Sequence, residues 1–305
     1  MNDNQYLSRV LAAQTFADDS PEMIEMQSQR ANVEKILRDK YGTSPCIRYG
    51  GSKMKGTMIC ASFDLDIHCY FARDDTTPGE TLREIYDNVR ETLGNEFTVE
   101  PKKTALRLTE TALGLKSKKP NQMGVYLHVD VVPGRYIDGE DGDVFVHQNE
   151  GDKERMKTNL ITHRDHIRDS GVRDAIRLIK LWNVQNGTSL KTFVLELLVV
   201  DLLKGHKSNT LTDQLTRVWT AFRDESDALN VSDPANSNNN LKPALDEKRS
   251  LLASHAALTL QSIEQSGWNV VYGPVDESDN DKAERLQNLI MTVPSGQRHK
   301  PYGSE

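Results

Sequence analysis

Gly50-Gly51-Ser52-Lys53-Met54-Lys55-Gly56-Thr57, followed by Ser62-Phe63-Asp64-Leu65-Asp66-Ile67, is the stretch whose reading decides the fold. The Gly-Gly-Ser turn lets backbone N–H groups come close to a phosphate chain. Ser52 adds a hydroxyl donor, and Lys53 or Lys55 adds positive charge. From Phe63 the period becomes two: Phe63, Leu65 and Ile67 alternate with Asp64 and Asp66. In a strand, residues two apart share a face, so the apolar set faces a core and both carboxylates face one cleft. Two acids that close repel unless a cation lies between them. Oxygen ligands beside a phosphate cradle suit Mg²⁺. A bare Asp-x-Asp reads equally as the solvated side of an edge strand. Here Gly-Ser, Gly-Thr and Asp-x-Asp come together, in order, inside a β pattern. No Gly-Lys-Ser/Thr follows the glycines, so this is not a Walker loop.

Gly51-Ser52, eleven residues, then Asp64-x-Asp66 resembles the nucleotidyltransferases of the polymerase-β-like superfamily. In that family a third acid lies on a following strand, commonly before Val-Pro. His128-Val129-Asp130-Val131-Val132-Pro133 resembles this pattern, with Val125, Leu127, Val129 and Val131 as the apolar face and Asp130 on the polar one. The resemblance implies an α+β fold: a mixed sheet with flanking helices, joined to a C-terminal helical domain.

Two further stretches narrow the resemblance. One is Arg177-Leu178-Ile179-Lys180-Leu181-Trp182-Asn183 with Lys191-Thr192-Phe193-Val194-Leu195-Glu196-Leu197-Leu198. The other is Asp233-Pro234-Ala235-Asn236. Together with the core they are similar to the oligoadenylate synthetase and cGAMP synthase group, and more narrowly to the bacterial cGAS/DncV-like enzymes of antiphage defence. The resemblance implies that Gly51, Ser52 and Thr57 bind the phosphates. It implies that Lys180 and Thr192, the latter where serine is commoner, hold the donor triphosphate. It implies that Asp64, Asp66 and Asp130 are both catalytic and metal-ligating, holding two Mg²⁺ ions with Mn²⁺ as a substitute. A snorkelling surface lysine is the competing reading of Lys180. The Asp-Pro-x-Asn segment is expected to be a structural loop.

The chain's 305 residues suffice for one large or two ordinary domains. The expected division is a nucleotidyltransferase core with N-terminal helices over 1–155, a helical domain over 156–293 and a disordered tail over 294–305. A formal net charge of −7 gives no support to a broad nucleic-acid surface. Cys46, Cys60 and Cys69 lack metal-ligand spacing and read as reduced thiols, and the N-terminus lacks a signal-peptide pattern. The most apolar run, Phe193 to Leu203, is interrupted by Glu196 and Asp201 and is too short to span a bilayer. The expectation is therefore a cytoplasmic monomer with no membrane, no obligatory nucleic acid and nucleoside triphosphates, ATP among them, as partners. A regulatory protein partner is implied by the bacterial relatives.

The expected activity is template-independent synthesis of cyclic di- or trinucleotides, with pyrophosphate released. The alternatives are a nucleotidyltransferase making linear oligoadenylate, adding CCA to tRNA or adenylylating a drug or protein, a shorter antitoxin-like enzyme, and a catalytically silent nucleotide-binding scaffold.

Helical periodicity predicts helices over 4–18, from Pro21 to Tyr41 after a Ser20 cap, over 80–93, over 172–185 and 191–204, after Thr210 or Thr212, and as one long helix from Pro243 to Ser266. Residues 97–108 predict one or two strands, and everything past about 155 reads as helical. Asp138-Gly139-Glu140-Asp141-Gly142-Asp143 lacks the spacing of a calcium loop and reads as a hairpin tip. Lys116 to Asn121 reads as a basic surface loop.

Overall fold

Phe63, Leu65 and Ile67 are buried, while Asp64 and Asp66 between them keep contact with solvent. The alternation read from the sequence is that of strand β2 (Asp64–Phe71). The computed structural model describes residues 1–111 and 127–275. The basic loop from Lys116 and the tail from 294 lie outside them.

Around β2 the sheet contains β1 (Cys46–Tyr49), β3 (Phe97–Pro101), β4 (Leu106–Thr111), β5 (His128–Tyr136), β6 (Val144–His147) and β7 (Arg155–Thr158). The order is β1-β2-β5-β4-β3, with β6 added to β5 and β7 to β6. Among the described residues only β2 and β5 pair in parallel, so the sheet is mixed. A parallel pair needs a long crossover, and here the connection carries the helix Leu82–Gly94 and the β3–β4 hairpin.

Two helices before this crossover, α1 (Asp3–Ala13) and α2 (Pro21–Tyr41), start on side-chain caps: Asn2 accepts from Gln5 N–H, and Ser20 from Met23 N–H with Pro21 at the first helical position. Gly42, at φ 63°, ends α2. Next come α3 (Gly51–Lys55) and α4 (Leu82–Gly94). Thr81 and Glu84 form a capping box at the start of α4. Val33, Leu37 and Tyr41 of α2 and Ile85, Tyr86, Val89 and Leu93 of α4 share one core with Leu65, Ile67, Leu106, Val129 and Val131 of the sheet. Each such side chain contributes about 1.5–3 kcal/mol on full burial.

The sequence past 155 does not turn helical at once. Arg155-Met156-Lys157-Thr158 is strand β7, an element that has no apolar alternation of its own and exists through pairing with β6. Then follow α5 (Leu160–Arg168), α6 (Arg173–Gln185), α7 (Thr192–Leu202), α8 (Leu211–Asp224), α9 (Lys242–Asp246), α10 (Arg249–Ser266) and α11 (Asn269–Tyr272). The single helix expected from Pro243 is two, because Arg249 is drawn toward the carbonyls of Ser226 and Leu229 at the break. Trp182, Trp219, Phe222 and Trp268 stack in the centre of this half. The Trp182 indole N–H donates to Thr259 Oγ1 at 2.8 Å. α1 packs against α6, α8 and α11. Met1–Tyr272 form one compact unit; of the second, Gly273–Glu305, only 273–275 are described.

Residues 138–143 form the tip between β5 and β6, closed by Ile137 N–H to Asp143 O at 2.8 Å. The Asp-Pro-Ala-Asn loop ties the two halves of Met1–Tyr272: Asn236 donates to Lys157 O at 2.9 Å, and Asp233 accepts from Asn239 and pairs with His163 at 2.7 Å.

Candidate active site

Parallel register sets Asp66 beside Asp130 across β2 and β5, and Asp64 lies two residues back on the same face. One carboxylate oxygen from each of the three comes within 4.8 Å of the others. Burial and then the neighbouring Asp64 and Asp130 carboxylates push Asp66 up to about 7. Asp64 is also raised, first by burial, with Lys180 acting against the shift and Asp130 adding to it. An oxygen-only set of three carboxylates, whose repulsion adds to the rise of Asp64 and Asp66, fits Mg²⁺ or Mn²⁺.

Asp130 has one partner that the sequence reading did not include. β4 sets Arg107 directly opposite it. The Arg107 guanidinium donates from Nε to Oδ1 at 2.8 Å and from Nη2 to Oδ2 at 2.7 Å. This fork fixes the orientation of the third carboxylate.

Gly50 and Gly51 bring the cradle against the acids. Gly50 N–H donates to Asp66 O at 2.8 Å. A Cβ on Gly51, whose φ is 51°, would stand 1.6 Å from Asp66 Oδ2, and one on Gly50 would stand 2.1 Å from His68 Nε2. The glycines are thus required by the approach of the cradle to β2, as well as by any approach to phosphate. The cradle itself is the short helix α3, not an open turn. Within it Ser52 is buried, and its Oγ has no hydrogen-bond partner among the described residues.

Thr57, Lys180 and Lys55 converge on one buried carboxylate, Glu196 of α7. The Thr57 hydroxyl donates to Glu196 Oε1, and Lys55 Nζ pairs with Oε2. Lys180 is buried rather than snorkelling: it is 4% exposed, its Nζ donates to Thr57 O at 2.7 Å and lies 3.9 Å from Glu196 Oε1. Burial lowers the pKa of Lys180, and Glu196 opposes the shift. Two ammonium groups share one carboxylate, which leaves net positive charge under the cradle. Thr192 opens α7, half-buried, one turn before Glu196. Glu196 read in the sequence only as an interruption of an apolar run. A carboxylate among Leu195, Leu197 and Leu198 was itself the signal, because acids are rarely fully buried unless paired.

His68, on β2 beyond Asp66, meets the Tyr70 hydroxyl through Nδ1. Burial holds its pKa down to about 3, so it is a neutral wall of the cradle.

No family model matches the chain, and no curated protein sequence matches it. Solved structures do. A chain of the CdnC:HORMA-deltaN complex of Escherichia coli MS115-1 is 16% identical, with a TM-score of 0.64 over 91% of this chain and 99% of that one. The CdnE cyclic dinucleotide synthase of Elizabethkingia meningoseptica, solved with GTP and Apcpp, is 14% identical, with a TM-score of 0.61 over 88% of this chain and 100% of that one. The DncV cyclic AMP-GMP synthase of Vibrio cholerae is 16% identical, with a TM-score of 0.55 over 91% of this chain and 86% of that one. At these identities the likeness is one of fold, and the chain has the fold of the cGAS/DncV-like nucleotidyltransferases, the CD-NTases.

Proposed function

We propose that this protein is a template-independent nucleotidyltransferase that joins nucleoside triphosphates into cyclic di- or trinucleotides. The observation that carries the reading is the convergence of Asp64, Asp66 and Asp130 beside a cradle whose buried Ser52 hydroxyl lacks a partner. The fold shared with cyclic dinucleotide synthases supports it.

Asp64, Asp66 and Asp130 are the residues that would hold two divalent cations, with Asp130 serving the second. Bound there, the cations supply charge neutralisation for the phosphates and Lewis acidity toward an attacking ribose hydroxyl. The Ser52 hydroxyl donates to a phosphate oxygen, beside the Gly51 backbone. Lys180 and Thr192 act on the donor triphosphate, Lys180 through the surplus positive charge it shares with Lys55 over Glu196. Thr57 and Glu196 hold those ammonium groups in place. Arg107 keeps Asp130 turned toward Asp66. The hydroxyl attacks the α-phosphate and pyrophosphate leaves. A second round in the same cleft closes the ring.

In this reading the sheet through β7 with its N-terminal helices is the catalytic core and the helices from Leu160 to Tyr272 lie behind the cleft, acting as a monomer in the cytoplasm. The acidic chain suits a short product rather than a polymer, which would need a basic path. Among the described residues no helix is long and apolar enough to cross a membrane. The cyclic product is a second messenger in antiphage defence, with no obligatory nucleic acid. The HORMA-bound CdnC structure supports control by a protein partner.

The test is incubation of the purified chain with the four ribonucleotides and Mg²⁺, without template, followed by phosphatase treatment and mass spectrometry. The expected product is a phosphatase-resistant cyclic di- or trinucleotide. A phosphatase-sensitive linear ladder, or a product that requires tRNA, would replace this reading with one of the other nucleotidyltransferase classes.

A further inference from the structure

At the far end of the sheet from the acids, a cavity of 730 Å³ opens between the start of α4, the β5–β6 hairpin and the loop into β7. Asp130 and Arg135 both lie on β5, and five residues of strand separate the two sites by about 17 Å. The volume falls in the range of small-molecule sites, about 300–1,000 Å³.

Its charge is opposite to that of the chain. Arg73, Arg83, Arg135, Lys153 and Arg155 line it, against Glu80 and Glu154, in a protein of formal net charge −7. Arg83 comes no nearer than 3.7 Å to Asp87, and Arg73 no nearer than 3.9 Å to Asp138. Arg135, Lys153 and Arg155 have no carboxylate within 4.0 Å among the described residues. Arg135 is held rigidly instead: its terminal nitrogens donate to the carbonyls of Asp75 at 2.7 Å and of Gly79 and Glu80 at 2.5 Å. Its Nε is buried and meets no acceptor among the described residues.

The wall also carries a flat platform. The Arg155 guanidinium lies 4.5 Å over the Phe145 ring, and Arg155 is otherwise exposed. A guanidinium resting over an aromatic ring on one side leaves its other side open to a ligand ring. Five cations against two carboxylates, with an aromatic-backed guanidinium in the wall of an open pocket of this size, suit a phosphate and a ring in one small molecule.

We infer that this cavity is a second binding site, separate from the acids, for a phosphate-bearing molecule with a planar ring, about one nucleotide in size. The site requires no divalent cation and does not depend on nucleotidyl transfer at Asp64, Asp66 and Asp130.

The test uses the full chain in EDTA with ATP as the probe: equilibrium dialysis to measure affinity, and photolabelling with 8-azido-ATP to locate the site. The expected result is labelling within residues 135–155 that excess ATP blocks, and an affinity at that site lowered at least tenfold by Arg155→Glu. Lys153→Glu, at an exposed residue, is expected to weaken it too. Melting temperatures of both variants should stay at the wild-type value. Label confined to residues 50–66, or affinity unchanged in both variants, overturns the second site. Neither result depends on whether the protein makes a cyclic nucleotide, so the two readings fail separately.

Discussion

Asp66 and Asp130 are direct neighbours in the parallel register of β2 and β5, so two half-buried carboxylates stand side by side on one face of the sheet. This placement is built into the backbone pairing, not into a loop, and it sets both the chemistry and the electrostatic strain of the site.

That strain is open to measurement. Asp66 is pushed up to about 7, against about 3.9 in an unfolded chain. A carboxyl raised by folding favours the folded state below its unfolded value, and the contribution is lost as pH rises through the folded value. In EDTA, wild-type stability should therefore fall between about pH 4 and pH 7 on account of this group. Asp66→Asn should flatten the slope and melt higher at pH 8, by about 2–4 °C for each kcal/mol of charge-burial and repulsion cost removed. Melting curves across pH in EDTA check it, and equal slopes for the two proteins would remove the electrostatic part of the account.

Ser52→Ala and Gly51→Val should act in opposite directions on the nucleotide-free fold. Removing a buried hydroxyl that lacks a partner should leave stability unchanged or slightly improved. The same change should weaken nucleotide binding by about 0.5–1.5 kcal/mol, the worth of one neutral hydrogen bond. Gly51→Val forces a side chain into the Asp66 carboxylate at a positive φ, and should cost both stability and binding. Calorimetric titration with a non-hydrolysable triphosphate, alongside melting curves, separates the two. A larger binding loss for Ser52→Ala than for Gly51→Val would contradict the cradle described here.

Glu196→Gln should be the more damaging of two changes under the cradle. It leaves the Lys55 and Lys180 ammonium groups buried with no carboxylate partner, a loss of about 3–5 kcal/mol. Lys180→Met leaves Glu196 still paired with Lys55 and deprives chiefly the Thr57 carbonyl of its donor, about 1–3 kcal/mol. Lys180→Met should also raise KM for the donor triphosphate. Denaturant melts rank the two stabilities, and a reversed rank would show that Lys180, not Glu196, anchors the cluster.

What could be read from the sequence divides by contact range. The faces taken by Asp64, Asp66 and Asp130 were legible because strand alternation is local, whereas the joining of Asp130 to the other two was implied only by the family resemblance and is seen in the β2–β5 register. The caps at Ser20 and Thr210 were legible for the same reason. Glu196 was not, since its bonds to Thr57 and Lys55 span 139 and 141 residues. The burial of Lys180, which reaches Thr57 across 123 residues, was open between two readings for the same cause. Arg107 needed the β4–β5 register, β7 needed β6, and the break before α10 needed the Ser226 and Leu229 carbonyls. In each case a tertiary partner, not local propensity, decided the outcome.

The most direct measurement is pyrophosphate release by wild-type protein and by Asp66→Asn, side by side, with the four ribonucleotides and Mg²⁺ and no template. Wild type is expected to release pyrophosphate as nucleotide is consumed, and Asp66→Asn, folded by its melting curve, to release none above background. Equal release by the two proteins would contradict the central claim that nucleotidyl transfer takes place at Asp64, Asp66 and Asp130.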